Sequence, residues 1–373
     1  MNIAIVAPYF HPVEGGRERT IFHLAEGLAE RGHSVRVLTT DRTPSGEKVK
    51  IESESWSFSV ERLKTVHIAF RIEIPLESPF KMVRRIKECD IVHVVSTDSI
   101  FTFYFLILAK ILKKPTFVTI FTPFALLKHP RKVLRPFLLF FEFLSIISIW
   151  LADAIQVKNE VDLELVKKFA KNVKLIPDGI PKYYLEVKPP IDFREKYGLN
   201  NKKIILFVNR IHPLKGPQIL IRALPRILKV FPEVVAVLIG PDPNGYTNEI
   251  KELAREHNVS GNVMFLGFVS EDEKIAAYDA ADVVVIPSVG EFTEAFSIVL
   301  SEAWARRKTV VVTPSRALRS RVKPGTGYIA GYDPKSFAEA VIEALERPTN
   351  PPKVHSWDDV VEMIEKMYFK ILK

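Results

Sequence analysis

Cysteine is nearly absent from this 373-residue chain, in which Cys89 stands alone. A single cysteine cannot form an intramolecular disulfide, and no Cys/His cluster at ligand spacing indicates a structural zinc site. The scarcity of cysteine is typical of a protein that works in a reducing, cytoplasmic environment.

Long apolar runs are missing as well. The apolar stretch 137–151 has 15 residues and contains Glu142, whereas a spanning helix needs about 20 apolar residues. We therefore do not expect this segment to cross a bilayer. Residues 1–8 lack a charged n-region and a long apolar core, so they predict a buried first strand and not a signal peptide.

The net charge of +9 is concentrated in one part of the chain. Residues 101–150 contain seven Lys/Arg, one acidic residue and 12 of the 39 aromatic residues. Cations interleaved with aromatics suit an anionic membrane surface. Two interpretations stay open: a helix buried between sheet and neighbouring helices, or a peripheral contact of residues 101–150 with the inner membrane face. Nucleic acid is not an expected partner, because no recognised nucleic-acid-binding motif accompanies the charge.

Short β-branched runs alternate with helical patterns along the chain, which predicts parallel sheets covered by helices. The rhythm restarts after Pro189 and Pro190, and 373 residues are many for a single core. We therefore expect two doubly wound α/β domains facing each other across a cleft, at residues 1–187 and 188–355, and a C-terminal helix at 356–373. Predicted strands include 3–7, 35–39, 90–95, 115–121, 204–208, 235–239, 263–266, 282–286 and 309–313, and predicted helices include 19–31, 100–112, 217–231, 248–257, one from 296, and 336–346.

Two cations and two glutamates carry the chemistry of the second half. Arg210 and Lys215 follow a predicted strand, and about eighty residues later Glu294 and Glu302 bracket the start of a helix. The cations can neutralise a diphosphate, while carboxylates accept hydrogen bonds from sugar hydroxyls. The amides near Phe296, Ser297 and Ile298 can meet the same phosphates. Either pair alone would suit solvated surface charges; together they predict a site for a sugar diphosphate.

Gly15 and Gly16 close the first strand and allow backbone amides to approach an anion or a sugar closely, so we expect them to take part in binding the donor. No third glycine opens the following helix, so the Gly-x-Gly-x-x-Gly pattern of a dinucleotide site is not matched. A hydride-transferring dehydrogenase is not expected.

Over nearly its whole length the chain resembles the retaining nucleotide-sugar glycosyltransferases with the GT-B fold, in particular their family four. The matching motifs, in chain order, are Gly15-Gly16, Ala25-Glu-Gly-Leu-Ala-Glu-Arg-Gly-His33, Ile176-Pro-Asp-Gly-Ile-Pro181, Arg210 with Lys215-Gly216, Gly267-Phe-Val269, and Glu294 with Glu302.

The resemblance implies a role for each matching residue. Arg210 and Lys215 would bind the diphosphate of a UDP-, GDP- or ADP-sugar donor, and Glu294 would contact the transferred hexose. Glu302 would bind the ribose hydroxyls, and backbone at Phe268 and Val269 would line the nucleobase. The implied reaction needs no metal and no cofactor. The acceptor would be a sugar, a glycan or a lipid-linked molecule on the N-terminal domain, and the last helix would return to that domain.

Three positions depart from the family pattern. Phe121 stands where the family usually has a histidine after the strand, Ser297 replaces a glycine, and Arg307 replaces another. Phenylalanine cannot donate a hydrogen bond or carry a proton. His11, His93 and His129 are the candidates to compensate, although a structural or surface role suits each of them better. A phosphorylase or sugar-nucleotide epimerase of the same architecture would show its own cofactor or acid/base signature. The sequence contains no such signature, so this is the weaker enzyme alternative. The alternative from another class is a non-catalytic nucleotide-sugar-binding or partner protein of the same fold.

Overall fold

The computed structural model describes residues 1–13, 15–50, 55–69, 72–123, 135–186 and 188–373. The chain forms two units, one of Met1–Gly179 with His355–Lys373 and one of Ile180–Val354. The chain thus enters the second unit before the expected boundary at 187/188. The reason is packing: Ile180 and Tyr184 are buried in the core of the second unit.

The first unit consists of nine strands and six helices among the described residues. In chain order they are β1 Asn2–Val6, α1 Gly16–Glu30, β2 Ser34–Thr40, β3 Ser59–Leu63, β4 Thr65–Ala69, β5 Ile72–Pro75, α2 Pro79–Lys87, β6 Ile91–Val95, α3 Ile100–Ile111, β7 Thr116–Thr119, α4 Arg135–Leu151, β8 Ala154–Val157, α5 Glu160–Val166 and β9 Val173–Leu175, with the last helix, α14, at Trp357–Leu372.

Seven of these strands form one parallel sheet in the order β3-β2-β1-β6-β7-β8-β9. The order reverses between β1 and β6, which pair directly. In open α/β sheets such a reversal marks the place where ligands bind, because the connections on its two sides leave in opposite directions. The remaining two strands, β4 and β5, form an antiparallel hairpin that the sequence pattern did not predict.

The second unit has the same architecture. Its elements are α6 Tyr183–Glu186, α7 Phe193–Lys196, β10 Lys203–Val208, α8 Pro217–Leu228, β11 Val234–Ile239, α9 Tyr246–Glu256, β12 Val263–Gly267, α10 Glu271–Ala280, β13 Val283–Ile286, α11 Ile298–Ala305, β14 Thr309–Val312, α12 Arg316–Arg321, β15 Tyr328–Ile329 and α13 Pro334–Glu346. The parallel sheet has the order β12-β11-β10-β13-β14-β15 and reverses between β10 and β13.

Both faces of this second sheet are buried. Along β10, Ile204 and Leu206 point into one apolar cluster, while Ile205 and Phe207 point into the other. Side chains alternate across a strand, so a continuous apolar run covers both faces only where helices pack on each side. The predicted doubly wound α/β class is confirmed in each unit.

Helix α4 lies within the basic, aromatic window of the sequence. Leu138, Phe141 and Leu144 are buried, while Phe143 is 59% and Trp150 76% exposed. The helix therefore presents one apolar face to the protein and a second to its surroundings, so neither interpretation of the segment describes it alone. Among the described residues, no helix is both long and apolar enough to span a membrane.

The last helix completes the first unit. Ser356 and Asp359 form a reciprocal capping box at its start, which satisfies amides that the first helical turn leaves free. Further along, the Tyr368 hydroxyl and His93 Nδ1 lie 2.6 Å apart. Helix α14 thus reaches a histidine in the middle of the sheet, on β6.

His93 belongs to a buried hydrogen-bond chain. The Thr119 hydroxyl donates a hydrogen bond to Gln156 Oε1 at 2.7 Å, so the Thr119 oxygen is the acceptor for His93 Nε2. His93 Nδ1 in turn accepts a hydrogen bond from the Tyr368 hydroxyl. This arrangement requires a neutral imidazole. Burial, with a smaller contribution from the charge of Lys158, lowers the pKa of His93 to about 3.

We predict that Tyr368→Phe lowers the free energy of unfolding by about 1–2 kcal/mol, because it leaves the buried His93 Nδ1 without a donor. Chemical denaturation of wild type and variant measures the loss. Tyr328→Phe is the matched control, since its hydroxyl donates to the Arg347 carbonyl at the surface, and it should change stability by less than about 0.5 kcal/mol. Equal losses in the two variants would contradict the role of His93.

The same histidine predicts a pH dependence. Because the pKa of His93 is lower in the folded protein than its ordinary 6.5, the unfolded chain binds the proton more readily. The contribution of His93 to stability is complete above that ordinary value and is lost progressively as the pH falls toward about 3.

Candidate functional site

The centre of the candidate site in the second unit is an ion pair between two loops that follow neighbouring strands. Lys215 comes after β10 and Glu294 after β13, and Lys215 Nζ donates to Glu294 Oε1 at 2.6 Å. The Ser288 hydroxyl donates to the same oxygen at 2.6 Å. Glu294 is buried and the Lys215 side chain is only 14% exposed. Two of the predicted site residues are thus brought into direct contact at the reversal of the sheet.

Gly216 allows these two loops to approach each other. Its φ of 75° is left-handed, and a Cβ atom there would lie 1.8 Å from the Pro287 carbonyl oxygen. The backbone amide of Val289 donates to the Leu214 carbonyl at 2.8 Å, which joins the same two segments. A side chain at position 216 would separate Lys215 from Glu294, so glycine is required for contact as well as for conformation.

Arg210 lies at the end of β10 with an exposed side chain. Within the described residues its guanidinium forms no hydrogen bond or ion pair, unlike Lys215. The backbone beside it is packed tightly, because a Cβ atom on Gly240 would lie 2.0 Å from the Asn209 carbonyl oxygen. The carboxyl ends of β10 and β11 are therefore fixed against each other, while the Arg210 side chain stays available to an anion.

The predicted phosphate-binding segment lies at the start of α11, which begins at Ile298 and not at Phe296. Arg321, on α12, donates to the carbonyl oxygens of Phe296 and Ser297 at 2.6 and 3.0 Å, and to the Ser301 hydroxyl at 2.7 Å. Its guanidinium carbon lies 3.7 Å from the centre of the Phe296 ring. The first amides of the helix have no acceptor within the helix itself, so they can donate to a bound anion.

The two positions where the sequence lacks an expected glycine both have left-handed backbones. Ser297 has φ 68° and Arg307 has φ 58°, a conformation that costs a residue with a Cβ about 1–2 kcal/mol. Contacts offset the cost: Arg321 bonds to the Ser297 carbonyl, and the Arg307 guanidinium donates to the Pro351 carbonyl and to Asn350 Oδ1. The backbone conformation that glycine would favour is retained at both positions.

Glu302 lies one turn into α11 in a different environment from Glu294. Its Oε2 accepts a hydrogen bond of 2.7 Å from the Tyr278 hydroxyl, and its Oε1 lies 3.5 Å from Lys274 Nζ. Glu302 is 5% exposed and Tyr278 is fully buried. Both partners come from α10, so the structure places Glu302 in a second polar cluster and does not join it directly to Lys215.

Phe268 and Val269 follow β12 at the edge of the sheet. The Phe268 ring is 78% exposed, and Gly267 before it has a φ of 65°. The Gly267 carbonyl accepts a hydrogen bond from the Gly240 amide. This bond connects the turn after β12 to Gly240, which follows β11 and packs against the backbone of Asn209. The backbone of Phe268 and Val269 therefore lies at the same, carboxyl edge of the sheet as the other residues.

The first unit has its own polar cluster at the reversal between β1 and β6. Gly15 precedes α1 with an extended backbone and Gly16 begins the helix. Arg17, on the first turn, donates to Asp98 at 3.3 and 3.4 Å and to the Ser96 hydroxyl at 3.2 Å. The predicted glycines are thus located at the strand-to-helix turn where an anion or sugar could approach.

Phe121 lies beside two cations. The Arg17 guanidinium carbon is 5.3 Å and Lys158 Nζ 5.2 Å from the centre of its ring, distances at which an aromatic face attracts a cation. Lys158 is buried and forms an ion pair of 2.5 Å with Asp178, which also accepts from Thr20. Phe121 is only 6% exposed, so its ring is buried within this cluster and does not lie at the protein surface.

Both halves of the chain match a family description. Residues 14–182 match "Glycosyltransferase Family 4", and residues 191–359 match "Glycosyl transferases group 1". The chain belongs to this family of glycosyltransferases. The expected resemblance is therefore confirmed, on both units.

Curated relatives in the family differ in the length they share with the chain. D-inositol 3-phosphate glycosyltransferase 2 of Catenulispora acidiphila is 35% identical over 42% of this chain and 38% of its own length. Phosphatidyl-myo-inositol mannosyltransferase of Mycolicibacterium smegmatis is 28% identical over 93% of this chain and 85% of that protein. The chain spans between 38% and 53% of the first five relatives it matches.

Solved structures of similar fold cover the whole chain. Sucrose-phosphate synthase from Thermosynechococcus elongatus superposes with a TM-score of 0.74 at 21% identity, over 99% of this chain and 98% of that one. HepE from Anabaena, in complex with UDP-glucose, superposes with a TM-score of 0.68 at 19% identity, over 100% and 96% of the two chains. Two Rossmann-like units of this kind make up the GT-B fold, as the sequence predicted.

Several residues of the candidate site in this family member were not found from the sequence. Lys274 and Tyr278 are four positions apart on α10, a spacing that places them on one helix face. That spacing is the sequence feature by which the pair could have been found. Ser288, Arg321 and Lys158 are single polar residues without a pattern around them. Of the histidines near the Phe121 motif, His93 is structural, and His129 lies outside the described residues.

We predict that Phe121→His yields an imidazole whose pKa lies well below the ordinary 6.5. Burial and the two cations beside the ring, Arg17 and Lys158, both disfavour the protonated form. Titration of the new imidazole by NMR measures the value. Adding Arg17→Gln to the same variant removes one cation and should raise the pKa; a pKa at or above 6.5 in the single variant would show that the cations do not act on this position.

Proposed function

We propose that the protein transfers a hexose from a nucleotide diphosphate sugar to a hydroxyl group of an acceptor, with retention of configuration and without a metal. The observation that carries the proposal is the set of charges at the reversal between β10 and β13: Arg210, Lys215 and Glu294, next to the start of α11. Family membership supports it, as does the UDP-glucose complex of the similarly folded HepE.

In this proposal the cations act on the leaving group. The bond between the anomeric carbon and the phosphate oxygen breaks, and its electron pair stays on the diphosphate. Arg210, Lys215 and the first amides of α11, at Ser297 and Ile298, stabilise that charge. They supply the positive charge that a metal ion provides elsewhere. Because the Lys215 ammonium is already positioned by Glu294, little reorganisation is needed when phosphate arrives.

The remaining groups recognise the sugar and the nucleoside. Glu294, which accepts from Lys215 and Ser288, has lone pairs left for hydroxyls of the transferred hexose. Glu302 would bind the ribose, and backbone at Phe268 and Val269 would line the base. The acceptor oxygen forms its bond on the face that the phosphate leaves, and its proton passes to the departing phosphate oxygen, so no separate base is needed. Phe121, which carries no proton, is compatible with this scheme.

The acceptor is proposed to bind the first unit and to be a sugar, a glycan or a lipid-linked molecule. A lipid-linked acceptor is favoured by α4, where Phe140, Phe143 and Trp150 form an exposed apolar stripe at helical spacing. Together with the basic composition of residues 101–150, this face suits peripheral attachment to an anionic membrane. The basic residues at 128–134 lie outside the described part of the chain.

A binding-only protein of the same fold is the second candidate, and Phe121 is the observation that favours it. The variant Phe121→His distinguishes the two. A large gain of transfer activity would mean that chemistry was lost at this position. No gain in an already active enzyme would mean that the site functions with phenylalanine and its two cations.

We predict that Arg210→Ala weakens binding of a UDP-, GDP- or ADP-sugar about tenfold or more, since a charge-assisted contact with phosphate is lost. Binding of the corresponding nucleoside, which has no phosphate, should stay the same. Isothermal calorimetry measures both, and release of the nucleotide diphosphate is followed in parallel without added metal.

Arg226→Ala is the matched control for this measurement, because Arg226 is an exposed cation of the same unit that pairs with Glu339 on another face. The proposal is wrong if wild type binds none of the three donor classes. Binding of a donor without transfer to any acceptor hydroxyl or to water would favour the second candidate.

We also predict that the double variant Phe143→Ser and Trp150→Ser lowers binding to vesicles containing anionic lipid by about tenfold or more, because both rings would be buried among the acyl chains. Vesicle flotation measures the bound fraction. Phe369→Ser is the control: its ring is 48% exposed on α14, which is not part of the basic window in the sequence. If both variants float like wild type, α4 does not contact the membrane.

A further inference from the structure

Glu302 is a buried carboxylate whose two oxygens are treated differently by the protein. Oε2 accepts a hydrogen bond of 2.7 Å from Tyr278, and Oε1 faces Lys274 Nζ at 3.5 Å. A buried charge is costly unless it is paired and hydrogen-bonded. Oε2 is thus oriented by a hydrogen bond from a buried phenol, while Oε1 has a longer contact with the ammonium and retains lone pairs for another donor.

Lys274 is itself held by a second acid. Its ammonium lies 2.9 Å from Glu271 Oε1 and 5.4 Å from the centre of the Tyr184 ring. The Tyr184 hydroxyl donates to Glu271 Oε2 at 2.8 Å. The closer partner of Lys274 is therefore Glu271, and the ammonium lies between the two glutamates with a longer contact of 3.5 Å to Glu302.

The hydroxyl group that donates to Glu302 is also fixed in place by its surroundings. Lys274 and Tyr278 lie one turn apart on α10, and Tyr278 is fully buried. Burial, followed by the neighbouring Glu302 carboxylate, raises the pKa of Tyr278 far above its usual range. Its hydroxyl therefore remains protonated and can only donate to the carboxylate, whose orientation about its side-chain bonds is fixed by that single bond.

From this arrangement we infer that Tyr278 and Lys274 are positioning residues that present Oε1 of Glu302 to the hydroxyls of the nucleotide ribose. Tyr278 sets the rotation of the carboxylate through its bond to Oε2, and Lys274 compensates the negative charge through a long contact of 3.5 Å that leaves Oε1 lone pairs for the ligand. The inference rests on the proposed function for the presence of a ribose, and it adds two residues, both from α10, to the part of the site that recognises it.

The test is a comparison of nucleotides with and without ribose hydroxyls. UDP, GDP and ADP, each alongside its 2′,3′-dideoxy form, are titrated calorimetrically into wild type and into Tyr278→Phe. We expect the variant to bind the ribose nucleotide about tenfold more weakly and the dideoxy nucleotide within about twofold of wild type. A residue that only stabilises the fold would weaken both forms equally.

Lys274 is tested in the same way with a conservative rescue. Lys274→Met should weaken the ribose form several-fold more than the dideoxy form, and Lys274→Arg should restore most of the difference. Lys196→Met is the matched control, because Lys196 also pairs with a glutamate, Glu273, and lies 5.3 Å from a tyrosine ring, that of Tyr197. Tyr328→Phe is the control for the loss of a tyrosine hydroxyl.

Each result decides a separate question. If wild type prefers ribose over dideoxy nucleotides but the variants keep that preference, the positioning role is wrong and the proposed function stands. If wild type binds both forms equally, Glu302 does not recognise ribose, and the inference fails with it. If wild type binds none of the three nucleotides, the proposed function itself is overturned.

Discussion

The reversal of strand order in each parallel sheet is the constraint on which the candidate sites depend. In the second unit β10 and β13 are neighbours although about seventy residues separate them in the sequence. Because the connections from these strands diverge to opposite faces, their carboxyl ends leave an open crevice. Lys215 and Glu294 meet there only because Gly216 has no side chain to separate their loops.

The two glutamates of the family motif are chemically alike and are given different surroundings. Glu294 has a cation in direct hydrogen-bond contact, so its charge is compensated before any ligand binds. Glu302 has a phenol in direct contact and a cation at longer range. The surroundings of Glu294 suit a carboxylate whose cationic partner also binds phosphate. Those of Glu302 suit a carboxylate that accepts hydrogen bonds from neutral hydroxyls. The distinction follows from α10, whose Tyr278 and Lys274 contact Glu302.

Much of the fold could be predicted from the sequence because its signals are local. Alternating apolar strands and amphipathic helices identified both α/β units, and Ser356 marked the start of the last helix. The β4–β5 hairpin was not predicted, since its strands are short and partly exposed. For the site, Arg210, Lys215, Glu294 and Glu302 came from motif spacing, whereas Ser288 and Arg321 depend on tertiary contacts that leave no trace in a single sequence.

Phe121 shows the limit of arguing from a family pattern. From the sequence alone its replacement of a histidine suggested a loss, yet the ring is in contact with Arg17 and Lys158, and Lys158 is neutralised by Asp178. A protonated imidazole would be repelled by the positive charges of Arg17 and Lys158, whereas an aromatic face attracts both cations. The substitution and its neighbours are mutually consistent, as are Ser297 with Arg321 and Arg307 with Asn350.

The discontinuous makeup of the first unit bears on how the protein is assembled during synthesis. Residues 180–354 are contiguous and form their own core, so they can fold as soon as they leave the ribosome. The first unit is made earlier yet completed later, because the Tyr368 donor of its buried histidine is on the last helix. Until that helix emerges, part of a sheet surface stays uncovered, so the first unit reaches its native state only after the second unit has been synthesised.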